Sequence, residues 1–138
     1  MGLILETSVL IEAERDRLHL PDLMNAWVGD VHLAAVTVAE LWQGVERAVQ
    51  EPVRDRREAW VAALCEAIDI LPYDAAVARV HARLWGRLSS RGIVVGAHDM
   101  LIAATAVAHE HTLATLNARE FSRIPELRLF DVQPFRRA

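Results

Sequence analysis

The sequence contains no lysine. All fifteen basic residues among its 138 are arginine, set against nineteen acids for a formal charge of −4. Without lysine there is no P-loop lysine, no Schiff base and no lysine-dependent phosphoryl site. A folded chain with surplus acid and no basic block is not marked by charge as a nucleic-acid binder. Cysteine is nearly absent as well. Cys65 alone closes no intrachain disulfide and has no thiolate partner for zinc, which fits a reduced, cytoplasmic setting. No apolar run approaches membrane-spanning length. The opening MGLILETS lacks the basic region and long apolar run of a signal peptide. Glycine is sparse: Gly92 and Gly96 are isolated, and neither a phosphate-cradling G-x-G-x-x-G nor a G-x-S-x-G nucleophile turn is present.

What remains is an ordinary globular balance, 53% hydrophobic and 25% charged. Its length suits one domain over 1–138, with 133–138 as a short tail. Short apolar runs alternate with helical patterns. Leu3–Leu5, His32–Val36, Ile68–Leu71, Thr112–Thr115 and Leu127–Val132 read as strands. Ser8–Arg15, Pro21–Val28, Thr37–Val49, Pro52–Ala67, Asp74–Ser90 and Ala97–His109 read as helices. Val38, Leu41, Trp42, Val45 and Val49 make one apolar stripe. Gly92 ends the Asp74–Ser90 helix. Such alternation predicts an α/β fold, a three-layer α/β/α domain on a mainly parallel sheet. Ligands then bind beyond the carboxyl ends of the strands.

Acidic and amide side chains collect at those ends. Glu6 leaves the first strand. Glu40 and Asp99 lie near the starts of their helices, and Asn117 and Glu120 follow the Thr112–Thr115 strand. In a parallel sheet all of them project to one edge. Crowded carboxylates repel unless cations neutralise them, and oxygen-only ligands suit Mg²⁺ or Mn²⁺. Such a metal lowers the pKa of a bound water and holds a phosphodiester for in-line attack. Plainer roles exist. T-x-x-E from Thr37 to Glu40 is a capping box, Asp99 complements a helix dipole, Asn117 suits a turn, and Glu120 suits solvent. Glu6, flush against an apolar strand, is the hardest to assign such a role.

Other residues stand apart from this edge. His98 abuts Asp99; His109 and His111 suit a helix C-terminus. Arg79, Arg83, Arg87 and Arg91 recur every four residues, as a solvated face or a phosphate-contacting stripe. Trp27 and Trp60 serve either as core or as walls of a groove for a partner helix.

The segments Ile4–Leu10, Thr37–Gly44, Val95–Ala104 and Thr115–Phe121 with Ile124–Leu127 resemble the four motifs of PIN domains, in order and with that family's spacing. The resemblance spans about residues 3–132 and is closest to the VapC type, toxins of bacterial toxin–antitoxin pairs. It implies a Mg²⁺- or Mn²⁺-dependent endoribonuclease acting on structured RNA such as tRNA or ribosomal RNA. It implies metal-binding and catalytic roles for Glu6, Glu40, Asp99, Asn117 and Glu120, with Thr7 or Ser8 orienting the first acid or a water. A homodimer and a small antitoxin near Trp27 and Trp60 are the expected partners. The departure is Glu6, where the family carries Asp. One added methylene moves the carboxylate by roughly 1.5 Å, and Mg²⁺ is strict about geometry. The alternative function is therefore a catalytically weakened PIN-like protein acting mainly through its antitoxin. A haloacid-type phosphatase is disfavoured by Glu6-Thr7-Ser8 in place of D-x-D, and by the missing lysine.

Overall fold

Leu3, Ile4 and Leu5 are fully buried, yet they serve two different cores. Ile4 packs with the cluster that includes Leu84, Met100, Leu113 and Phe121. Leu3 and Leu5 pack with Val9, Leu33, Leu41, Val45 and Val61. Side chains alternate across a strand, so a strand apolar at every position is covered on both faces. The computed structural model describes residues 1–138 and has that three-layer form.

Five strands form one parallel sheet: β1 Leu3–Leu5, β2 Val31–Ala34, β3 Asp69–Leu71, β4 Thr112–Thr115 and β5 Arg128–Asp131. Their order is β3-β2-β1-β4-β5. Every neighbouring pair is parallel, with Ile4 opposite His32 and Leu113. Helices α1 Thr7–Glu14, α2 Leu20–Ala26, α3 Ala35–Glu46 and α4 Glu51–Ala67 supply one layer. Helices α5 Ala75–Ser90 and α6 Ala97–Ala108, with the short α7 Ala118–Phe121, supply the other. No helix is long and apolar enough to cross a membrane. After β1 the chain steps outward to β2 and β3; β4 then returns to the other side of β1. The β1/β4 boundary is thus the topological switch point, where open α/β sheets leave a crevice.

Several boundaries differ from the sequence expectation. The second strand ends at Ala34, and α3 starts at once at Ala35 with no side-chain cap. The Thr37–Glu40 capping box therefore does not form: Thr37 already lies inside the helix, fully buried. Val49 drops out of the apolar stripe because the helix stops at Glu46, which leaves Val49 97% exposed. Within the short tail, Phe135, Arg136 and Arg137 make contacts back to the domain. Phe135 stacks on Phe130, with ring centroids 6.2 Å apart, within the range of attractive aromatic pairs. The Phe135 carbonyl accepts from His19 N at 2.9 Å.

At the amino edge of the sheet, opposite the crevice, His32 and His111 stack at 4.9 Å, and His109 lies 5.6 Å from His111. His111 Nδ1 accepts from Gly2 N at 3.0 Å. A Cβ at Gly2 would meet the His32 and His111 rings at 2.9 Å, so a side chain there would displace the stacked rings. Burial, then His32, His109 and the N-terminus, lowers the His111 pKa, with Asp30 opposing. Neutral His111 is thus the folded form. Its contribution to stability is complete above the ordinary value of 6.5 and is lost as pH falls through that value toward the lowered one. His111→Asn, which keeps an acceptor for Gly2 N, is expected to flatten the melting temperature between pH 7 and 5. An unchanged slope would assign the acid sensitivity to other groups.

Candidate active site

Glu6 is the first residue beyond β1 and the N-cap of α1. It is only 3% exposed. Its Oε2 accepts from Ser8 N at 3.0 Å, and its Oε1 accepts from the Ser8 and Thr115 hydroxyls, each at 2.5 Å. The acid is buried because these donors replace water. Thr115, the last residue of β4, sits across the switch point.

Glu40 lies in the second turn of α3. Thr7 Oγ1 donates to its Oε1 at 2.7 Å, with Thr37 Oγ1 3.1 Å from Thr7. His98 Nδ1 stands 3.3 Å from the other Glu40 oxygen. The two residues after Glu6 thus divide the work: Ser8 orients Glu6, and Thr7 orients Glu40.

Asp99 is in the first turn of α6, behind a Gly96 cap that makes no side-chain bond. Burial raises its pKa, and so do Glu6, Glu40 and Glu120, in that order; His98 opposes them. Glu6, Glu40 and Glu120 thus lie within electrostatic range of Asp99. Glu120, on α7, is half-exposed and paired with Arg123, which also donates to Val94 O at 2.7 Å. Asn117 caps α7, exposed and without a side-chain cap bond.

A cleft of about 410 Å³ runs from Thr7 and Glu40 between α1, α3 and α4. Trp60 lines it, with Arg15, Arg47 and Arg57. Trp27 is elsewhere, edge-on to Phe130 at 5.6 Å, so the two tryptophans do not share a groove. Arg57 ties three helices, bonding Glu14 at 3.1 Å and Gly44 O at 3.0 Å. Arg79, Arg83 and Arg87 are exposed on α5, and Arg91 is exposed at its C-cap; Arg87 is held by Glu126.

Sequence reasoning missed Thr115, Thr37 and the arginines of the cleft. The hydroxyls sat in segments already explained as strand and cap, and Arg15 and Arg47 are the C-cap residues of α1 and α3, with no motif to mark them.

No three His, Cys, Asp or Glu side chains stand as a ready coordination shell. The acids and the Asn117 amide are nonetheless oxygen donors, the type that a hard divalent cation takes. Burial first, and then the charges of Glu6, Glu40 and Glu120, raise the Asp99 pKa, and a cation would relieve the repulsive part.

The PIN domain family model matches residues 3–127. The chain belongs to the PIN-domain family. This PIN chain is 34% identical over 132 residues to Ribonuclease VapC1 of Rickettsia felis, covering 96% of the chain and 97% of that relative. It is 31% identical over 129 residues to the tRNA(fMet)-specific endonuclease VapC of Shigella flexneri, covering 93% and 96%. Among solved structures, DNA-bound VapBC from Salmonella typhimurium superposes with a TM-score of 0.86 at 26% identity, over 95% of this chain and 98% of that one. The PIN fold thus accounts for nearly the whole sequence.

Proposed function

We propose that this chain is the endoribonuclease toxin of a VapBC-type toxin–antitoxin pair. The observation that carries the reading is the PIN-domain match over residues 3–127, with the buried Glu6 carboxylate bonded across the switch point to Thr115 and Glu40 bonded to Thr7 beside it. Glu6, Glu40 and Asp99 would hold Mg²⁺ or Mn²⁺, with the Asn117 amide as a neutral oxygen donor and Glu120 as a further catalytic acid. A bound divalent ion supplies a nucleophilic water at neutral pH and offsets phosphodiester charge.

The chain's own residues set up the rest. Thr7 fixes the Glu40 carboxylate, and His98 lies against its second oxygen. Arg123 holds Glu120. Arg79 and Arg83 are candidates for phosphates flanking the cut, with Arg87 reaching RNA only by releasing Glu126. Structured RNA, tRNA above all, is the substrate class we favour, in line with the name of the Shigella relative. We assign the Trp60 cleft, rather than a groove shared with Trp27, to the antitoxin. We retain a homodimer and a cytoplasmic setting as parts of the same proposal.

The weakened-enzyme alternative rests on Glu6, whose two oxygens are both engaged within the chain. Metal stripping separates the two readings. EDTA-treated protein should lose RNA cleavage and melt at a lower temperature, and Mn²⁺ should restore both. Absence of cleavage in excess Mn²⁺, for this chain and for Glu6→Asp, would favour the alternative.

A further inference from the structure

We propose that helix α5 carries a second RNA-contacting surface, on which Trp85 stacks an unpaired base while Arg79 and Arg83 hold phosphates of the same strand. The placement of Trp85 is the first observation. It is 62% exposed, whereas the other three tryptophans are half-buried. Val77, Leu84 and Leu88 form the buried side of α5, and Trp85 lies off that row. The ring is nevertheless held. His81, one turn earlier, stacks on it with centroids 5.6 Å apart and planes 17° from parallel. Tyr73, ahead of the helix, stands edge-on to His81 at 5.8 Å, its hydroxyl 2.9 Å from His81 Nδ1. An indole backed on one face and open to solvent is the form of a stacking platform for a base.

Charge selects the occupant. From Ala75 to His98 the sequence has four arginines and no acid, in a chain whose formal charge is −4. Arg87 pairs with Glu126, but Arg79, Arg83 and Arg91 pair with no acid. Residues four apart share a helix face. Arg79 and Arg83 thus make one row and His81 and Trp85 another, with Ala82 and Gly86 between them on the exposed side. A Cβ at Gly86 would meet nothing within 4 Å, so the space between the rows is open. A helix with its side chains is only about 10–12 Å across, and a strand lying over α5 meets guanidinium and ring together. A polyanion with flat, unpaired bases matches both rows. An acidic peptide matches the arginines alone.

The surface also leads toward the acids. Trp85 lies about 9 Å along the axis from the Arg91 cap, and the loop after that cap enters the first turn of α6, which carries Asp99. The inference deepens the ribonuclease reading, since it names an unpaired segment of the RNA as what this chain grips. It rests on that reading for the cleavage.

The test uses the full chain with a single-stranded oligoadenylate, and duplex RNA of equal length as the control, in EDTA so that nothing is cut. Oligoadenylate should quench the tryptophan fluorescence of the parent chain. Trp85→Ala should remove most of the quenching and weaken the Kd by about 5- to 100-fold, the range for loss of one base stack. Trp85→Phe should keep most of the affinity. Arg83→Ala should weaken binding of both RNAs and lower the salt slope by about one. All three positions are on the surface, so melting temperatures should match the parent. With Mn²⁺ present, Trp85→Ala should raise KM for tRNA with little change in kcat. Parent-like affinity for oligoadenylate in folded Trp85→Ala would overturn the inference. So would an equal loss for duplex RNA, or a Trp85→Ala chain altered only by falling from dimer to monomer in sedimentation, which would give the ring to a second copy. If the parent binds oligoadenylate through Trp85 but cleaves no RNA, the ribonuclease reading fails and the platform stands. If Trp85→Ala binds and cleaves tRNA as the parent does, the inference alone fails.

Discussion

Asp99→Asn is expected to reduce RNA cleavage by on the order of a hundred- to a thousandfold, the loss typical when a central electrostatic group is removed from a catalytic site. The same variant is expected to melt at a higher temperature than the parent chain at neutral pH. Both effects have one cause. Burial and the neighbouring Glu6, Glu40 and Glu120 raise the Asp99 pKa above its ordinary value of 3.8. Below that ordinary value the carboxyl is protonated in both folded and unfolded chains and costs nothing. As pH rises through the raised value, the folded chain must ionise a group that the unfolded chain ionises more easily, and stability is lost. Asparagine removes this penalty, so its stabilising effect should be full at pH 7 and fade toward pH 3. Mn²⁺ should stabilise the parent chain more than the variant. A variant that unfolds, or melts lower at pH 7, would make Asp99 a structural cap of α6.

Phe121→Ala is expected to destabilise the fold by about 3–5 kcal/mol, the range for a large aromatic removed from a packed core. Phe121 is 0% exposed and packs with Ile4, Leu113, Ile124 and Leu127. It is also the last residue of α7, adjacent to Glu120. With four residues, α7 is held by this side chain and by its Asn117 end rather than by helix propensity. Cleavage should therefore fall even at temperatures where the variant stays folded. Phe121→Leu, which refills most of the volume, should recover both properties in large part. Full activity in folded Phe121→Ala would show that Glu120 keeps its place without the anchor.

The sequence made the sheet and its carboxyl edge legible because a parallel sheet leaves a plain trace. Leu3–Leu5 and Thr112–Thr115 are short runs between helical patterns, and both are buried. Once those strands are parallel, Glu6 and Asn117 must leave the same edge, and the helix starts bring Glu40 and Asp99 toward it. Local contacts between distant segments were not legible. Thr37 and Glu40 have the spacing of a capping box, but tight passage from β2 into α3 places the cap at Ala34, and Thr37 instead faces Thr7. Thr115 reads as an ordinary β-branched strand residue; its bond to Glu6, 109 positions away, exists only because β1 and β4 pair. The arginines of the Trp60 cleft converge from α1, α3 and α4, and no spacing in the sequence relates them. Trp27 and Trp60 share a residue type but no spacing that relates them, and packing places Trp27 against Phe130 and Trp60 in the cleft.

The central claim is that the carboxylate cluster directs hydrolysis of RNA by water. Analysis of the ends left on a cleaved tRNA tests it most directly. Attack by water leaves no cyclic product, so the expected fragments lack a 2′,3′-cyclic phosphate, form only with Mg²⁺ or Mn²⁺ and are lost in Asp99→Asn. Fragments ending in a 2′,3′-cyclic phosphate, formed undiminished in EDTA, would contradict it.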